Sequence, residues 1–503
     1  MLWLGMALRL VPLVGNPLHQ DEALYGFWGR LISSGRDPWL ATVPVDKPPL
    51  GLYLIAGSQL AFGVSEFAIR LPGLAVSLLS IPLTFVLARR LYGHFCGLVA
   101  AAVMALTPFA LLFGATAFMD PILVAWWLAA CYAALRGRWG WAGLALGLAF
   151  ATKQQAVVLG IGYWGLGMLA LHPQRGASVG DTCTASAARH KCWVVGIGRL
   201  GVGLGGVVAG VVGWDRIRIV SGATVGFWGQ GVDSYGGLRL IWPAELVPRL
   251  RGWGRLGGYV FGWPWLALLL IMGVGLLLVH DLTRQRRTRP ALTDLVLIAF
   301  VLFYSFFHLL IAFPVWDRYL LPLTPLLGLL LGRVASGNGS PRSRAEWEWQ
   351  VASGKWRVAS EVLRFTFYVS LAFSLVGGGV MAARGRIPVG GDHGAYDGLE
   401  EVVDYLRALP VGTVLYDRWL SWHYDFYLFD AYLYRAGFPS PGWLAADAAA
   451  FYDGRPRYLV LPDWESPARL ERTLAEVGLM MSPVLTTYRR DGTVSFVVWE
   501  IGD

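Results

Sequence analysis

The stretch LPGLAVSLLSIPLTFVLARRLYGH, residues 71–94, is a long apolar run that ends in a basic cluster. A helix that crosses the hydrocarbon core of a bilayer needs about 20 mostly apolar residues. Residues 71–91 meet that requirement. The arginines of ARRLYGH mark the end that faces the cytoplasm, because cytoplasmic loops are enriched in Lys and Arg. The stretch therefore predicts one transmembrane helix and its orientation.

The composition extends this interpretation to the whole chain. Of its 503 residues, 55% are hydrophobic and 15% are charged, whereas soluble proteins carry about 25% charged residues. We therefore predict a polytopic α-helical membrane protein of the plasma membrane with about eleven transmembrane helices. The expected spans are residues 2–14, 71–91, 97–115, 121–135, 141–152, 155–171, 193–213, 264–280, 291–313, 319–335 and 364–383.

The loops between these spans alternate in charge, which predicts the topology. Basic segments belong on the cytoplasmic side and account for the net charge of +9 without any nucleic acid. They are residues 88–94, 136–140, 172–176, 188–191, 283–289 and 332–344. The outer side receives residues 15–70, 115–121, 214–263, 314–318 and everything after Arg384. Several arginines between Arg239 and Arg255 oppose this rule, and either translocation of a long loop or an anionic ligand would explain them.

The four cysteines do not indicate a disulfide framework. Cys96 and Cys131 lie in or beside apolar runs, whereas Cys183 and Cys192 flank a basic loop that contains His190. A zinc site would need these last three residues, but their spacing matches no standard ligand pattern. Free cytoplasmic thiols are the alternative, and we predict no metal site here.

Past Arg384 the composition becomes that of a soluble domain. GLEEVVDYLRAL and ARLERTLAEVGL have the pattern of amphipathic helices, and GTVLYD and RYLVLP that of short buried strands. VLTTYRRDGTVSFVVWEI predicts a hairpin that turns at Asp491-Gly492. We therefore predict a membrane domain over residues 1–384 and an extracytoplasmic α/β domain over residues 385–503.

The segment HQDEALY, residues 19–25, places two adjacent carboxylates just after the first apolar run. On a helix, Asp21 and Glu22 point about 100° apart, so they cannot both hold one substrate atom. Asp21, Tyr25 and Trp28 would share a face, and a carboxylate beside an aromatic wall suits a general base acting on a hydroxyl. The structural alternative is that Asp21 caps the helix or acts as a first-turn anion.

The segment VDKPPLGLYL, residues 45–54, adds a lysine to the same outer loop. Lys47 precedes two prolines, which prevent a helix from continuing and hold the lysine in an extended turn. An ammonium fixed at the membrane surface binds phosphate as a point charge. The alternative is ordinary snorkelling of a lysine near a membrane interface.

Three later segments place further charges at the same depth. Asp120 in ATAFMDP precedes a proline, so it has the sequence of an N-cap. Lys153 in AFATKQQ ends a span where an unpaired charge is unfavourable, and Arg318 in FPVWDRYLLP opposes the positive-inside bias. Charged residues with unrelated structural roles would be scattered over both faces of the membrane. The common depth and face of these residues therefore predict a single site. The candidate catalytic residues are Asp21, Glu22 and Asp120, and the candidate substrate-binding residues are Tyr25, Asp46, Lys47, Lys153, Asp317, Arg318 and Tyr319.

These segments resemble a known family. DEALY after the first span, DKPPL in the same loop, the MDP turn, the ATK helix end and DRYLLP before a late span resemble the C-type glycosyltransferase superfamily. They are most similar to bacterial members of the protein O-mannosyltransferase and aminoarabinose-transferase group. The likeness covers about residues 1–335 in order and spacing.

The resemblance implies transfer of a sugar from a polyprenyl-phosphate donor to an acceptor outside the cytoplasm, with inversion at the sugar carbon. It implies that Asp21 activates the acceptor and that Glu22 orients the site. It also implies that Lys47 contacts the lipid phosphate and that Lys153 and Arg318 complete the phosphate clamp. Asp46 stands where some relatives carry a glutamate that joins a metal site. A divalent ion is therefore the one cofactor to consider, although no partnering histidine is evident in residues 214–263.

Two other classes of protein stay open at this point. A transporter or flippase for a lipid-linked or anionic substrate also carries ionisable residues near membrane spans, but the sequence shows no repeat symmetry of the kind that supports alternating access. A sensor or scaffold would use the aromatic run at residues 419–434 as a partner surface. The acceptor is expected to be a lipid, a glycan or a protein. No nucleotide-binding glycine loop is evident, so a nucleotide-sugar donor is not expected.

Overall fold

Helices make up the first three quarters of the chain. The computed structural model describes residues 1–162, 186–235, 239–284, 289–336, 354–451 and 454–502. In these ranges the N-terminal helices are Leu2–Gly15, Gln20–Ser33, Pro49–Phe62, Glu66–Tyr92, His94–Leu106, Pro108–Phe113, Asp120–Leu135 and Trp139–Thr152. They are followed by Ser186–Val220, Phe227–Ser234, Pro243–Gly258, Pro264–Arg284, Arg289–Leu310, Leu323–Ser336 and Gly354–Ala383, with a 3-10 turn at Asp317–Leu320.

The apolar helices agree with the predicted spans. In the described part of the chain four helices are long and apolar enough to cross a membrane, namely Glu66–Tyr92, Val195–Val220, Pro290–Leu310 and Phe365–Ala383. Seven shorter apolar helices accompany them, and one of these, Pro49–Phe62, falls inside the predicted outer loop. The predicted span 155–171 lies mostly outside the described residues, as do Cys183 and the side chains of His190 and Cys192. The basic segment 172–176 and parts of 283–289 and 332–344 lie outside them as well.

The predicted span 97–115 is interrupted, because the chain breaks between Leu106 and Pro108. Proline lacks an N–H and forces the preceding Thr107 into an extended conformation. Arg9, which is fully buried, donates to the backbone oxygens of Met104, Ala105 and Ala110 at 2.9–3.0 Å. The arginine in the first span is therefore explained by this break, whose backbone acceptors it satisfies in apolar surroundings.

Glycines allow two of the membrane helices to pack at backbone contact. A Cβ added to Gly143 would lie 2.1 Å from the backbone oxygen of Leu200. A Cβ added to Gly203 would lie 2.5 Å from the backbone oxygen of Gly140. Small residues of this kind let membrane helices approach closely. The helices Trp139–Thr152 and Ser186–Val220 therefore depend on glycine at their interface.

Two arginines of the predicted outer loop 214–263 are satisfied within the protein. Arg249 donates to the backbone oxygens of His308, Leu309, Ile311 and Phe313 at 2.5–2.9 Å, and so caps the end of the helix Arg289–Leu310. Arg239 pairs with Glu245 at 2.7 Å. An anionic ligand is therefore not required to explain either of them.

The described residues of the remaining chain contain a five-stranded sheet and four helices. Its strands are β1 (Val414–Asp417), β2 (Tyr434–Gly437), β3 (Arg457–Pro462), β4 (Met480–Tyr488) and β5 (Val494–Gly502), in the order β2-β1-β3-β5-β4. β1 is parallel to β2 and β3, whereas β5 is antiparallel to β3 and β4. The helices are Leu399–Arg407, Ser421–Tyr427, Pro441–Ala450 and Ala468–Ala475. The predicted strands, amphipathic helices and hairpin are confirmed. The strand β2 was not predicted, because its four residues show no alternation of apolar and polar side chains.

The sheet domain contacts the helix Gln20–Ser33 through the aromatic run 419–434. The Nε2 atom of His423 lies 3.0 Å from the backbone oxygen of Leu18. Arg30 pairs with Asp430 at 2.7 Å. A large part of the run that the scaffold interpretation treated as a partner surface is therefore an internal contact.

The glycine interface generates the first prediction. Gly203→Ala should lower the thermal unfolding transition in detergent by an amount equivalent to roughly 1–3 kcal/mol, because the methyl group would overlap a backbone oxygen. Gly205→Ala, in the same helix, is the control, since an added Cβ there meets nothing within 4 Å. Equal transition temperatures for the two variants would contradict close packing at this interface.

Candidate active site

Glu22 is fully buried, and its two carboxylate oxygens are occupied by protein donors. Oε1 accepts from Arg70 Nε at 2.9 Å and from the backbone N–H of Ala117 at 2.8 Å. Oε2 accepts from Arg70 Nη2 and from the backbone N–H of His19, both at 3.0 Å. Glu22 therefore fixes the start of its helix relative to neighbouring segments, and both of its oxygens are used in these contacts.

Arg70 extends this anchor to the end of the first helix. It donates to the backbone oxygens of Leu13, Asn16 and Pro17 at 2.8–3.0 Å, in addition to Glu22. A buried guanidinium requires such acceptors, because an unpaired charge in a low-dielectric interior is strongly unfavourable. The turn between the helices Leu2–Gly15 and Gln20–Ser33 is therefore fixed by one side chain.

Asp21 lies in the first turn of its helix, and His19 is the N-cap. The ring of His19 accepts from the backbone N–H of Asp21 at 3.1 Å, so the capping role considered for Asp21 belongs to the histidine. The carboxylate of Asp21 receives Nη1 of Arg318 at 2.5 Å and keeps 26% of its side-chain surface exposed. Burial raises the pKa of Asp21, but Arg318, His19 and Lys47 together outweigh burial, so the net pKa is lowered. Asp21 is therefore an accessible, ionised carboxylate.

Arg318 is positioned by aromatic rings and by its neighbour in the sequence. Its guanidinium carbon lies 4.1 Å from the ring centre of Trp316 and 5.3 Å from that of Phe118. Asp317 accepts the backbone N–H of Arg318 at 2.7 Å and that of Gly390 at 2.8 Å. Asp317 therefore attaches the linker of the sheet domain to the segment that carries Arg318.

Lys47 is buried, with 3% of its surface exposed. Its ammonium contacts the carboxylate of Asp46 and donates to the hydroxyl of Tyr235 at 2.5 Å. The backbone oxygen of Asp46 accepts from Gln154 at 2.6 Å, which ties the loop to the end of a membrane helix. Burial lowers the pKa of Lys47, and Asp46 offsets part of this effect. The snorkelling alternative is therefore wrong, because the side chain points into the protein.

Lys153 and Asp120 form a second buried pair at 2.7 Å. The N-cap position of the helix Asp120–Leu135 is Met119, so the capping interpretation of Asp120 is wrong. Its carboxylate instead balances the lysine, whose ammonium also lies 5.1 Å from the ring centre of Tyr319. Tyr25 is 3% exposed and packs on Trp28, with ring centres 5.8 Å apart.

The structure thus brings three cations and three carboxylates together. The pairs are Lys47 with Asp46, Lys153 with Asp120, and Arg318 with Asp21. The charges of the three cations also interact with one another across the site. Such a cluster of cations suits an anionic ligand, and the carboxylate of Asp21 is its most exposed acidic group.

The described residues do not form a metal site. No group of three or more His, Cys, Asp or Glu side chains in the described ranges is arranged to hold an ion. Asp46 contacts Lys47, and the Nδ1 atom of His19 accepts a backbone hydrogen bond. These residues therefore do not fit a divalent ion, and we derive no step through one.

Several residues of the site were not found from the sequence. Arg70 carried a signal, because a charged residue near the start of an apolar run needs a partner. His19 is adjacent to the acidic pair, but imidazole is an uncommon N-cap. Tyr235 and Gly390 carried no signal, since they reach the site from 188 residues after Lys47 and 73 residues after Asp317.

The fold and the site define a class of protein: a helical membrane bundle with a charged site at one end and a small sheet domain against it. A family model described as dolichyl-phosphate-mannose-protein mannosyltransferase matches residues 46–184. A crystal structure of ArnT from Cupriavidus metallidurans in the apo state aligns with a TM-score of 0.62 at 17% identity, over 98% of this chain and 96% of that chain. ArnT from the same organism bound to undecaprenyl phosphate aligns with a TM-score of 0.58 at 17% identity, over the same shares of both chains.

Curated relatives match in sequence over a shorter stretch. The undecaprenyl phosphate-alpha-4-amino-4-deoxy-L-arabinose arabinosyl transferase of Edwardsiella ictaluri (strain 93-146) is 34% identical over 164 residues, which is 29% of each chain. The enzyme of the same name from Pseudomonas paraeruginosa is 32% identical over 162 residues, again 29% of each chain. The matched stretch thus spans less than a third of these relatives. The resemblance to the C-type glycosyltransferase superfamily is confirmed, as is the polytopic membrane fold with a C-terminal sheet domain.

The anchoring role of Glu22 gives the second prediction. Glu22→Gln should lower the free energy of unfolding by roughly 3–5 kcal/mol, because it leaves the buried Arg70 without its counter-charge. Glu400→Gln is a matched control, since Glu400 also lies in the first turn of a helix but is exposed. The measurement is thermal unfolding in detergent. Similar transitions for the two variants would contradict an anchoring role for Glu22.

Proposed function

We propose that the protein is a membrane glycosyltransferase that moves a sugar from a polyprenyl-phosphate donor to a hydroxyl of an extracytoplasmic acceptor. The observation that carries the proposal is the position of Asp21, a partly exposed carboxylate paired with Arg318, whose charge interacts with those of Lys47 and Lys153. A base next to an anion site is the arrangement that this chemistry needs. The shared fold with ArnT supports the proposal independently.

The reaction assigns a task to each group. Asp21 accepts the proton of the acceptor hydroxyl, and the hydroxyl oxygen attacks the anomeric carbon of the sugar. The bond from that carbon to the phosphate oxygen breaks, and the electron pair goes to the phosphate. Lys47, Lys153 and Arg318 stabilise the negative charge that develops there. A single displacement from the opposite face inverts the anomeric carbon.

The remaining predicted residues hold this machinery in place. Asp46 and Asp120 balance Lys47 and Lys153, and Tyr319 lies against the second lysine. Asp317 fixes the backbone of Arg318, whereas Tyr25 lies one helical turn after Asp21 and packs on Trp28. Glu22 is a positioning residue that acts through the helix start. Asp120 is a positioning residue as well, since it is 1% exposed.

The donor class follows from the site and from the relatives. A phosphate group requires cations, and a lipid-linked phosphate brings them close to a membrane surface. One aligned structure is described as ArnT bound to undecaprenyl phosphate, and the curated relatives are named as arabinosyl transferases that use this lipid. We therefore propose undecaprenyl phosphate as the carrier and a pentose or hexose as the transferred sugar.

The third prediction concerns the base. Asp21→Asn should lower sugar transfer from a panel of labelled polyprenyl-phosphate sugars by at least roughly 10²-fold, because asparagine keeps the shape and cannot accept the proton. Asp404→Asn is the control, since this carboxylate is exposed on the sheet domain. Equal transfer by wild type and Asp21→Asn would refute the mechanism. Uptake of donor into vesicles without transfer would instead support a transporter.

The fourth prediction concerns the phosphate. Lys47→Ala should weaken binding of the polyprenyl-phosphate donor by roughly tenfold or more, because a buried charge-assisted contact is lost. Asp21→Asn, which removes no cation from the site, should not weaken donor binding. Lys191→Ala, in a basic segment predicted to be cytoplasmic, is the control. Unchanged donor affinity in Lys47→Ala would exclude Lys47 from the phosphate site.

A further inference from the structure

Each cation of the site is paired with a carboxylate of the protein. Lys47 contacts Asp46, Lys153 lies 2.7 Å from Asp120, and Arg318 lies 2.5 Å from Asp21. These six charges sum to zero. An anionic ligand that binds one of these cations therefore competes with the carboxylate that already contacts it.

We propose that Arg318 is shared between Asp21 and the donor phosphate: it rests on the aspartate, and the arriving phosphate takes it over and so frees the base. This inference rests on the proposed function and adds an order to it. The donor binds first, and only then is Asp21 released to act on the acceptor. Without the donor, the base stays engaged by the arginine.

The three pairs differ in how easily they open. The side chain of Asp21 is 26% exposed, that of Asp46 is 16% exposed and that of Asp120 is 2% exposed. Lys47 is held on a second side by the hydroxyl of Tyr235. The pair of Asp21 with Arg318 is therefore the one whose carboxylate water can best solvate when the cation leaves.

Arg318 also has capacity for a second partner. Its Nε atom is buried and has no hydrogen-bond partner in the described part of the chain, although a guanidinium offers five N–H donors. Buried donors are normally satisfied, so this one indicates a missing acceptor. The rings of Trp316 and Phe118 lie against the guanidinium and hold it in position. A phosphate oxygen supplies the acceptor, because phosphates accept the forked donors of arginine.

The exchange runs in the direction of the reaction. As the hydroxyl proton passes to Asp21, that carboxylate loses its negative charge. At the same time the breaking bond leaves its electron pair on the phosphate, which gains one negative charge. The total charge is unchanged, and it moves from one partner of Arg318 to the other. Having already passed to the phosphate, the guanidinium of Arg318 therefore lies where the negative charge increases.

Binding of undecaprenyl phosphate to the full-length protein in lipid nanodiscs tests this inference without any turnover. Asp21→Asn should bind the lipid phosphate roughly tenfold more tightly than wild type, because Arg318 is no longer held by a carboxylate. Arg318→Gln should bind more weakly. In the double variant, Asp21→Asn should give no gain over Arg318→Gln alone.

A matched control distinguishes the release of Arg318 from the general effect of removing one negative charge. Asp233→Asn removes one negative charge at an exposed position in the helix that leads to Tyr235. Equal gains for Asp233→Asn and Asp21→Asn would overturn the inference, as would a gain that persists without Arg318. Affinity of Asp21→Asn equal to or below that of wild type would overturn it too, with the proposed function intact if wild type still transfers sugar. No binding by wild type would remove the proposed donor and this inference together.

Discussion

The site depends on the buried pair of Glu22 and Arg70. Arg70 is 1% exposed and Glu22 is fully buried, so neither charge is stable without the other. Together they join the end of the first helix, the start of the second and the backbone of Ala117. Because adjacent residues on a helix point about 100° apart, the anchoring of Glu22 turns Asp21 away from the pair. The two adjacent carboxylates thus have different tasks: Glu22 holds the helix start, and Asp21 contacts Arg318.

The same constraint governs the rest of the bundle. Arg9 and Arg249 donate to backbone oxygens where helices break or end. Lys153 pairs with Asp120 where another helix ends. In each case the charge lies where the helical hydrogen-bond pattern is interrupted, because only there are backbone acceptors or room for a counter-charge available. The positions of the charges therefore follow from where the helices end.

This relation explains what the sequence predicts and what it leaves open. Apolar length predicts the helices, and helix ends predict the depth of the charged residues, so Asp21, Lys47, Lys153 and Arg318 were placed at one level. The depth of a residue in the membrane does not specify the direction in which its side chain points around the helix axis. The pairing of Asp21 with Arg318 joins residues 297 positions apart, and that of Lys47 with Tyr235 joins residues 188 positions apart. Packing of the whole bundle decides such pairs, and the break at Pro108 was missed because the flanking residues are equally apolar.

Charge neutrality at rest follows from the same physics. Three unpaired cations in a buried site would repel one another and lack solvation, so the folded protein must supply carboxylates to balance them. Those carboxylates also compete with any anionic ligand, which lowers its affinity. The competition serves the reaction only where the displaced carboxylate then acts in it. Of the three carboxylates, Asp21 has the most exposed side chain. In the proposed reaction, the group that neutralises the site at rest is therefore the one that the donor must release before transfer begins.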